Sequence, residues 1–320
     1  MKTPILFIIF NRPNLTQRVF DVIRTIKPEN LYIAADGPRE KNSKDIDLCS
    51  KTRDIVSNID WDCNIKTNFR DRNLGCRESI VQGIDWLFEE EEMGIILEDD
   101  CLPSKTFFTF CETLLEKYLY DEKIMQINGN FRLHNIKNFK ESYYFSKLNA
   151  TWGWATWKRA WLHFDHNMTD YKINKKNGML KNYYEHEEIY NWMKMYFEEA
   201  IQPNCNIWST RWAYAIAKND GLNITPTQNL VENIGLFDNP TSKASDTYKI
   251  YEDFKPQEIK KVTFLKEIIY DKENDGLEYE HIIKVSDFKL NQSLMTRIIL
   301  KLKKLLRPIK KFILKMKKTN

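Results

Sequence analysis

The sequence predicts an α/β protein whose central sheet is mostly parallel and flanked by helices. Continuous apolar runs at 4–10, 31–35 and 94–97 have the composition of strands that are covered on both faces. Between these runs, residues 14–26 and 76–90 carry apolar side chains at helical spacing. Alternation of strands and helices on this scale is typical of a parallel sheet with helices on both faces.

Weaker patterns continue the alternation and then break it. The polar stretch at 44–58 can form a helix, and residues 64–69 can form a third strand. Beyond about residue 125 the alternation is lost. Helices are still predicted at 182–200 and 208–219, with a short strand at 223–225.

Composition and charge restrict the function. With 42% hydrophobic and 13% aromatic residues, the 320-residue chain has enough apolar side chain to exclude a disordered or collagen-like protein. Residues 291–320 contain ten basic and no acidic side chains, which leaves 39 basic against 45 acidic groups in residues 1–290. Because a nucleic-acid-binding body is usually basic on its own account, we predict no nucleic-acid partner.

The same basic segment, 291–320, predicts an amphipathic helix. Apolar side chains recur at alternating steps of three and four from Met295 to Met316, with lysines between them and an expected kink at Pro308. Each cation near an anionic lipid surface contributes about 1 kcal/mol. We therefore expect this helix to bind an anionic membrane surface, and a partner-binding helix or coiled coil is the alternative.

Cysteine usage and the first residues indicate the compartment. The six cysteines form no CxxC pair and are too sparse for a disulfide framework, which indicates reduced thiols. The seven apolar residues at 4–10 are too few for a membrane span, and no small-residue cleavage pattern follows them, so a strand is expected rather than a signal peptide. The expected location is cytoplasmic, peripheral on the inner face of the cell membrane.

Residues that follow the predicted strands are the first candidates for a ligand site, because ligands lie beyond the carboxyl ends of strands in such sheets. These segments are 11–13, 36–39, 70–75 and 98–100. Arginine occurs in three of them, and carboxylates follow both the second and the fourth strand. This set of side chains suits a diphosphate and a divalent cation.

The clearest local signal is Glu98-Asp99-Asp100 at the end of an apolar strand. Adjacent carboxylates repel and raise one another's pKa unless a cation lies between them. Mg²⁺ and Mn²⁺ prefer oxygen ligands, often one or two carboxylates together with substrate phosphates. A solvated acidic turn is the alternative, but the position at a strand end beside arginine loops favours a metal site.

Arginine loops next to this triplet favour phosphate binding. The guanidinium groups that can make bidentate contacts to phosphate are those of Arg12, Arg39, Arg70, Arg72 and Arg77. Asn73 to Gly75 would begin the helix at 76–90, whose N-terminal amides attract anions. Any one arginine is more often a surface charge, so the prediction depends on the set.

Trp152-Gly153-Trp154 can provide a stacking surface for a sugar, with glycine allowing close approach to the backbone. The alternative is aromatic core, since Trp154, Trp157 and Trp161 fall at helical spacing. Core is favoured for Trp157 and Trp161, and both interpretations stay open for Trp152 and Trp154. GxSxG, P-loop, GxGxxG and HExxH motifs do not occur in the sequence.

Read in order, these segments resemble the GT-A glycosyltransferases, in particular bacterial glycosyltransferase-like proteins related to the glycoprotein N-acetylglucosaminyltransferase I family. The resemblance covers about residues 4–237 and rests on the order and spacing of its motifs. They are Phe10-Asn-Arg-Pro13, Ala35-Asp-Gly-Pro-Arg39, Arg72-Asn-Leu-Gly75, Ile96-Leu-Glu-Asp-Asp100, Trp152-Gly-Trp-Ala-Thr-Trp-Lys-Arg-Ala-Trp161, Trp212-Ala-Tyr-Ala and Asn229-Leu-Val-Glu-Asn-Ile-Gly235.

This resemblance implies the GT-A fold, a nucleotide-sugar donor, most often a uridine diphosphate sugar, and Mn²⁺ or Mg²⁺. Asp100 matches the acid that holds the metal, Asp99 would lie near the ribose and Glu98 near the donor sugar. Asp36 matches a position that contacts the base, and Arg12 one that reaches the diphosphate. The implied donor-binding residues are Asn11, Arg12, Asp36, Gly37, Arg39, Arg72, Asn73, Gly75, Arg77, Glu98 and Asp99; the acceptor-binding residues are Trp152, Gly153 and Trp154; the metal ligands are Asp100 and Asp99; and the catalytic acids are Asp100 and Glu98.

Two departures from the family pattern concern the catalytic base. Relatives often carry Trp-Asp ahead of the next Trp, whereas this chain has Ser209 in that position, between Trp208 and Trp212. Relatives also tend to follow Asn-Ile-Gly with an acid and Thr-His-Thr, which this chain lacks. The base is therefore unassigned, with Asp165 and Asp238 as candidates.

The favoured hypothesis is a metal-dependent glycosyltransferase that moves a sugar from a nucleotide donor to a hydroxyl of a glycan or lipid-linked glycan precursor. The alternatives are a sugar-phosphate nucleotidyltransferase and a non-catalytic nucleotide-sugar-binding protein at the membrane. We divide the chain into a donor half (1–125), an acceptor half (126–240), an irregular extension (241–290) and the membrane-association helix (291–320).

Overall fold

Strands of the first hundred residues form one half of a central sheet. The computed structural model describes residues 1–134, 136–237 and 254–285. In it, the four strands are β1 (Ile5–Ile9), β2 (Asn30–Ala35), β3 (Asn64–Phe69) and β4 (Met93–Glu98). They lie in the order β3-β2-β1-β4, and every pair is parallel. All five positions of β1 are buried, as expected for a central strand covered on both faces.

Six further strands and ten helices complete the described part of the chain. The strands are β5 (Cys101–Pro103), β6 (Ile124–Asn128), β7 (Tyr143–Ser146), β8 (Trp154–Trp157), β9 (Leu222–Pro226) and β10 (Val231–Asn233). The helices are α1 (Pro13–Ile26), α2 (Ser43–Ser57), α3 (Cys76–Glu90), α4 (Lys105–Lys117), α5 (Lys158–Trp161), α6 (Tyr171–Lys176), α7 (Met179–Tyr184), α8 (Glu187–Ala200), α9 (Ser209–Lys218) and α10 (Lys272–Glu278). A 3-10 turn follows β10 at Ile234–Phe237, and α10 continues into a π-helical turn at Tyr279–Ile283.

The full sheet is mostly parallel. Within the described residues it has eight strands in the order β3-β2-β1-β4-β8-β6-β9-β7, and β5 pairs separately with β10. Only β8 and β7 run against the other six, because β8 is antiparallel to both β4 and β6 and β7 is antiparallel to β9. The predicted α/β class is confirmed by this sheet.

Helices cover both faces of the sheet. Side chains of β1 alternate between two apolar clusters, with Phe7 in one and Leu6 in the other. The first cluster includes α1 and α4, and the second includes α3 and α9. Burial of both faces therefore explains why the central strands read as continuous apolar runs rather than alternating ones.

Two expectations about local structure are corrected. The predicted helix at 182–200 is split into α7 and α8, because Glu185 takes a left-handed backbone conformation with φ 54° and His186 is extended. Trp154 to Trp157 form strand β8 rather than a helical repeat, and all four positions are buried. A strand covered on both faces shows no alternation that would distinguish it from a buried helix. The spacing of the tryptophans therefore suggested a helix where the chain forms a strand.

Residues 254–285 pack along the β7 edge of the sheet. The Asp271 N–H donates to the Phe145 carbonyl at 2.8 Å, and the Ser142 and Thr263 hydroxyls are 2.9 Å apart. The described segment has no helix before α10, in keeping with its weak periodicity. The predicted basic helix at 291–320 lies outside the described residues. No helix in the described ranges has both the length and the apolar character needed to cross a bilayer.

Candidate functional site

The carboxyl ends of β1, β2 and β4 enclose a cleft of about 340 Å³. This volume falls within the range of small-molecule sites, about 300–1,000 Å³. The lining residues are Ile8, Ile9, Phe10, Arg12, Asp36, Arg39, Asn73, Gly75, Cys76, Ser79, Ile80, Glu98 and Asp99. Seven of the eleven predicted donor-binding residues are among them, so sheet topology gathers side chains that are far apart in sequence.

Arg12 joins two of the predicted metal ligands. Its Nη2 lies 2.5 Å from Asp99 Oδ1, and its Nη1 lies 2.8 Å from Asp100 Oδ2. This contact follows from the register of β1 and β4, in which Ile8 is opposite Glu98, so the segments after both strands meet. Arg12 is also held at the start of α1, where its carbonyl accepts the N–H of Thr16 at 2.9 Å.

Burial and mutual repulsion shift the pKa values of the acidic triplet. The pKa of Glu98 is raised to about 8 by burial and by the charges of Asp100 and Asp99. Burial raises the pKa of Asp99 to about 6, although the Arg12 charge opposes that change. Burial alone would lower the pKa of Arg12, but the neighbouring carboxylates outweigh it and raise that pKa. The cluster therefore favours additional positive charge.

Asp100 is the carboxylate best placed to meet a metal ion. Asp99 is 1% exposed, and its second oxygen accepts the Phe10 N–H at 3.1 Å, so both of its oxygens are in use. The Asp100 side chain is 15% exposed. No group of three or more metal-ligating side chains occurs in the described chain. A single carboxylate suits an ion that arrives with a diphosphate, since Mg²⁺ is often held by one or two carboxylates plus substrate phosphates.

The turn after β10 packs directly against Asp100. The Ile234 N–H donates to the Asp100 carbonyl at 2.8 Å. A Cβ placed on Gly235 would lie 2.4 Å from Asp100 Oδ2, so only glycine leaves the carboxylate its present space. Asn233 Oδ1 accepts the Gly235 N–H at 3.0 Å and holds the turn. The motif Asn-Ile-Gly therefore shapes one side of the acidic site.

Asp36 organises the loop that leads into α3. One carboxylate oxygen accepts the N–H groups of Gly37 and Leu74 at 2.9 Å each. The other oxygen accepts Asn73 Nδ2 at 2.8 Å and the Gly75 N–H at 3.1 Å. Asp36 is 5% exposed. These four bonds assign it a positioning role here, and its contact with a nucleotide base stays a prediction.

Arg39 and Asn11 are both held by Asp45, a residue that no sequence pattern singles out. Arg39 Nε lies 2.6 Å from Asp45 Oδ2, and Asn11 Nδ2 donates to Oδ1 at 2.9 Å. Asp45 is fully buried, and the hydrogen bonds from Arg39 lower its pKa to about 2. Asp45 lies in the first turn of α2, a polar stretch in which no pattern separates one acid from another.

Three other predicted arginines do not line the cleft, and one of them, Arg70, donates to Ser79 Oγ of the lining at 3.3 Å. Arg72 is exposed. Arg77 donates to the Cys205 carbonyl at 3.0 Å and pairs with Glu78. Their predicted contacts with phosphate therefore require a ligand that extends beyond the cleft.

The predicted acceptor residues differ in exposure. Trp152 is half-buried, and the Arg132 guanidinium lies 5.9 Å from its ring centre. Gly153 has φ 60°, and a Cβ there would lie 2.8 Å from a Val231 methyl carbon. Trp154 is 1% exposed and stacks on Trp208 with ring centres 5.6 Å apart. Trp154 therefore serves as core in this conformation, which answers the question that the sequence left open for that residue.

Asp165, one of the two candidate bases, does not line the cleft. The Asp165 carboxylate accepts the N–H groups of Asn167 and Thr169, each at 2.8 Å. Burial would raise the pKa of Asp165, but these hydrogen bonds outweigh it and lower that pKa. Asp238 lies outside the described residues. Neither assignment is tested by this geometry, and both stay predictions.

Comparison with known proteins gives similarities of fold only. No protein-family model matches the chain, and no curated protein sequence matches it. Part of the fold is similar to the mannosyltransferase PcManGT from Pyrobaculum calidifontis, solved with GDP-Man and Mn²⁺, at 13% identity and TM-score 0.34, covering 49% of this chain and 45% of that one. It is also similar to the galactosyltransferase LgtC, solved with donor and acceptor sugar analogues, at 10% identity and TM-score 0.33, covering 54% and 66%.

A third similar structure is apo UDP-glucose pyrophosphorylase, at 11% identity and TM-score 0.38, covering 73% of this chain and 94% of that one. The match to the mannosyltransferase PcManGT covers less than half of that protein's length. At these identities and scores the similarities carry no functional argument. The sheet defines an α/β protein, and the ligand-sized cleft at the carboxyl ends of its strands is the candidate site. The relationship to N-acetylglucosaminyltransferase I stays a prediction.

Proposed function

We propose that this chain is a metal-dependent glycosyltransferase. It binds a nucleotide-sugar donor, a uridine diphosphate sugar, in the cleft at the ends of β1, β2 and β4. The observation that carries the proposal is the cluster of Arg12, Asp99 and Asp100 at the edge of a cleft of ligand size. A guanidinium group and hard oxygen ligands on one surface suit a diphosphate with a divalent ion.

In the proposed reaction, each side chain of the site has its own role. Asp100 would hold Mn²⁺ or Mg²⁺ together with the diphosphate, and Arg12 would donate to phosphate oxygens. The bound ion would supply positive charge that stabilises the departing diphosphate. Glu98, which lines the cleft, is assigned to the donor sugar, and Trp152 to the acceptor. A carboxylate, that of Asp165 or Asp238, would take the proton of the acceptor hydroxyl.

The test is a thermal-shift panel of UDP, GDP, ADP and CDP on the full-length chain, with and without Mn²⁺. Binding to the native state raises the melting temperature by linkage. We expect a shift with one diphosphate that requires Mn²⁺ and disappears in Asp100→Ala. Asp47→Ala is the matched control, because Asp47 is an exposed acid whose side chain pairs with Lys51 on α2. The shift should persist in that variant, and no shift with any nucleotide would contradict the proposal.

A nucleotidyltransferase is disfavoured by the segment after β1. Only residues 10–12 separate β1 from α1, and they include no glycine. The glycine-rich loop with arginine and lysine that such enzymes use is therefore missing. Pyrophosphate release from a nucleoside triphosphate and a sugar phosphate would favour that class instead.

A non-catalytic binding protein is supported by Ser209, which begins α9 at a position where the family that the sequence resembles often has an acid. That alternative predicts nucleotide-sugar binding without hydrolysis of the donor, measured as release of free sugar over hours. Slow hydrolysis that depends on Asp100 would exclude it.

The proposed acceptor is a hydroxyl of a glycan or lipid-linked glycan precursor, reached from the inner face of the cell membrane. This part of the proposal rests on the basic pattern of residues 291–320. Sedimentation of the full-length chain with anionic vesicles, compared with zwitterionic vesicles, tests it. Equal sedimentation with both would contradict a surface role for those cations.

A further inference from the structure

Arg12 occupies the space between the carboxylates that the proposed function assigns to metal binding. Each of its two terminal nitrogens is within 2.8 Å of a different aspartate. Its side chain is 38% exposed, so the guanidinium is accessible from the cleft that it lines. The Arg12 guanidinium therefore already supplies the positive charge that adjacent carboxylates require.

A metal ion and this guanidinium would compete for one carboxylate group. Arg12 Nη1 donates to Asp100 Oδ2, and Gly235 packs against that same oxygen. A divalent ion would bind Asp100 through its carboxylate oxygens, next to this contact. Two cations at one carboxylate repel, so ion binding opposes the Arg12–Asp100 contact.

The contact with Asp99 differs from the contact with Asp100. Asp99 is 1% exposed and is fixed by the Phe10 N–H, whereas the Asp100 side chain retains some access to solvent. Arg12 can therefore keep its bond to Asp99 while its other nitrogen leaves Asp100. A planar guanidinium freed in this way presents an N–H group to a phosphate oxygen in the cleft.

We propose that Arg12 is the counter-ion of Asp99 and Asp100 before a metal ion binds, and that it moves from Asp100 to the incoming diphosphate when the ion binds Asp100. This inference rests on the proposed function. It predicts that the metal ion alone binds weakly, because it must displace Arg12. It also predicts that metal and diphosphate bind with positive coupling, because the diphosphate accepts the displaced guanidinium.

The test measures Mn²⁺ binding to the full-length chain without nucleotide, from the electron paramagnetic resonance signal of free Mn²⁺. We expect Arg12→Gln to bind Mn²⁺ on the order of tenfold more tightly than the wild type, given the strength of a hydrogen bond to a charged group. Arg18→Gln is the matched control, because Arg18 is an exposed arginine on α1, the helix that begins directly after Arg12. It should bind Mn²⁺ as the wild type does, and Asp100→Asn defines the background from other acids.

Arg12→Lys keeps the test decisive if the glutamine variant does not fold. One ammonium group cannot bridge two carboxylates as a guanidinium does, so this variant should also bind Mn²⁺ more tightly than the wild type. Mn²⁺ binding by the folded variant that is no tighter than that of the wild type would overturn the inference.

A second measurement separates the inference from the proposed function. UDP, or whichever diphosphate shifts the melting temperature, should tighten Mn²⁺ binding in the wild type and tighten it less in Arg12→Gln. Tighter Mn²⁺ binding by the variant, with no effect of any diphosphate, would support the exchange at Asp100 and contradict the nucleotide site. Equal tightening by the diphosphate in both proteins would contradict the transfer of Arg12 to phosphate.

Discussion

At the scale of single residues, Asp36 shows how one buried carboxylate can determine the shape of a binding loop. All four groups that it binds are hydrogen-bond donors, three from the backbone and one from Asn73. Gly37 is required beside it, because a Cβ there would lie 2.4 Å from the Arg72 carbonyl carbon. The loop and the start of α3 are therefore positioned by local chemistry before any ligand binds.

Asp36→Asn should destabilise the protein and weaken nucleotide binding. The amide nitrogen of asparagine cannot accept a hydrogen bond, so two of the four donors lose their partner. Unsatisfied buried donors cost about 1–3 kcal/mol. Urea denaturation should show a loss of that order in the free energy of unfolding. Asp54→Asn on the exposed face of α2 is the control, and an equal effect there would contradict the positioning role.

At the scale of elements, one buried arginine joins α9 to the end of α8. Arg211 on α9 is 3% exposed and donates to four backbone carbonyls, those of Ala200, Cys205, Ile207 and His166. Its charge is therefore satisfied without a carboxylate, and burial lowers its pKa. The same helix carries Trp212, which packs with Trp154 of β8. The Arg211 guanidinium thus links the end of α8 to the helix whose Trp212 packs on Trp154.

Arg211→Lys should be strongly destabilising although it keeps the charge. An ammonium group on a single stem cannot reach carbonyls on several segments, and a buried cation with unmet partners costs about 2 kcal/mol or more. Chemical denaturation should show a lower midpoint than the wild type. Arg18→Lys, at an exposed position of α1, should leave the midpoint unchanged. Equal midpoints for the wild type and Arg211→Lys would show that the carbonyl contacts add no stability.

At the scale of the whole molecule, residues 254–285 are joined to the sheet by a buried acid. Asp275 is fully buried and accepts from Ser146 Oγ at 2.6 Å and from the Lys147 N–H at 2.8 Å. Burial raises its pKa to about 7, the two hydrogen bonds oppose that change, and Glu278 adds to it. Residues 254–285 are therefore joined to the sheet through an acid whose pKa is raised towards neutral pH.

Stability should fall as the pH rises from about 4 to about 7, because native Asp275 keeps a proton that the unfolded chain has released. The contribution of this group is at most about 1.4 kcal/mol per pH unit. Urea denaturation of the full-length chain across this range should show a shallower slope for Asp275→Asn than for the wild type. Asp220→Asn, whose side chain is 75% exposed, is the control. Parallel slopes for the wild type and Asp275→Asn would contradict the assignment.

Sequence patterns alone predict the strand–helix alternation, the acidic triplet at the end of β4 and the arginine loops beside it. These features could be predicted because hydrophobic periodicity reports burial, and because the end of a strand fixes which residues follow it at the sheet edge. The helix at 76–90 was predicted at the bounds that α3 has. By contrast, β8 was missed, since a strand with both faces buried shows no alternation.

The partner of each polar side chain, by contrast, could be identified only from the folded chain. Arg12 meets Asp100 across 88 residues of chain, and Asp36 meets the Gly75 N–H across 39. The folded chain also shows that Asp45 holds Arg39 and Asn11, and that Trp154 lies in the core. Such pairings follow from the order and register of strands in the sheet. A linear pattern reports how far a side chain is buried but not which distant residue satisfies it.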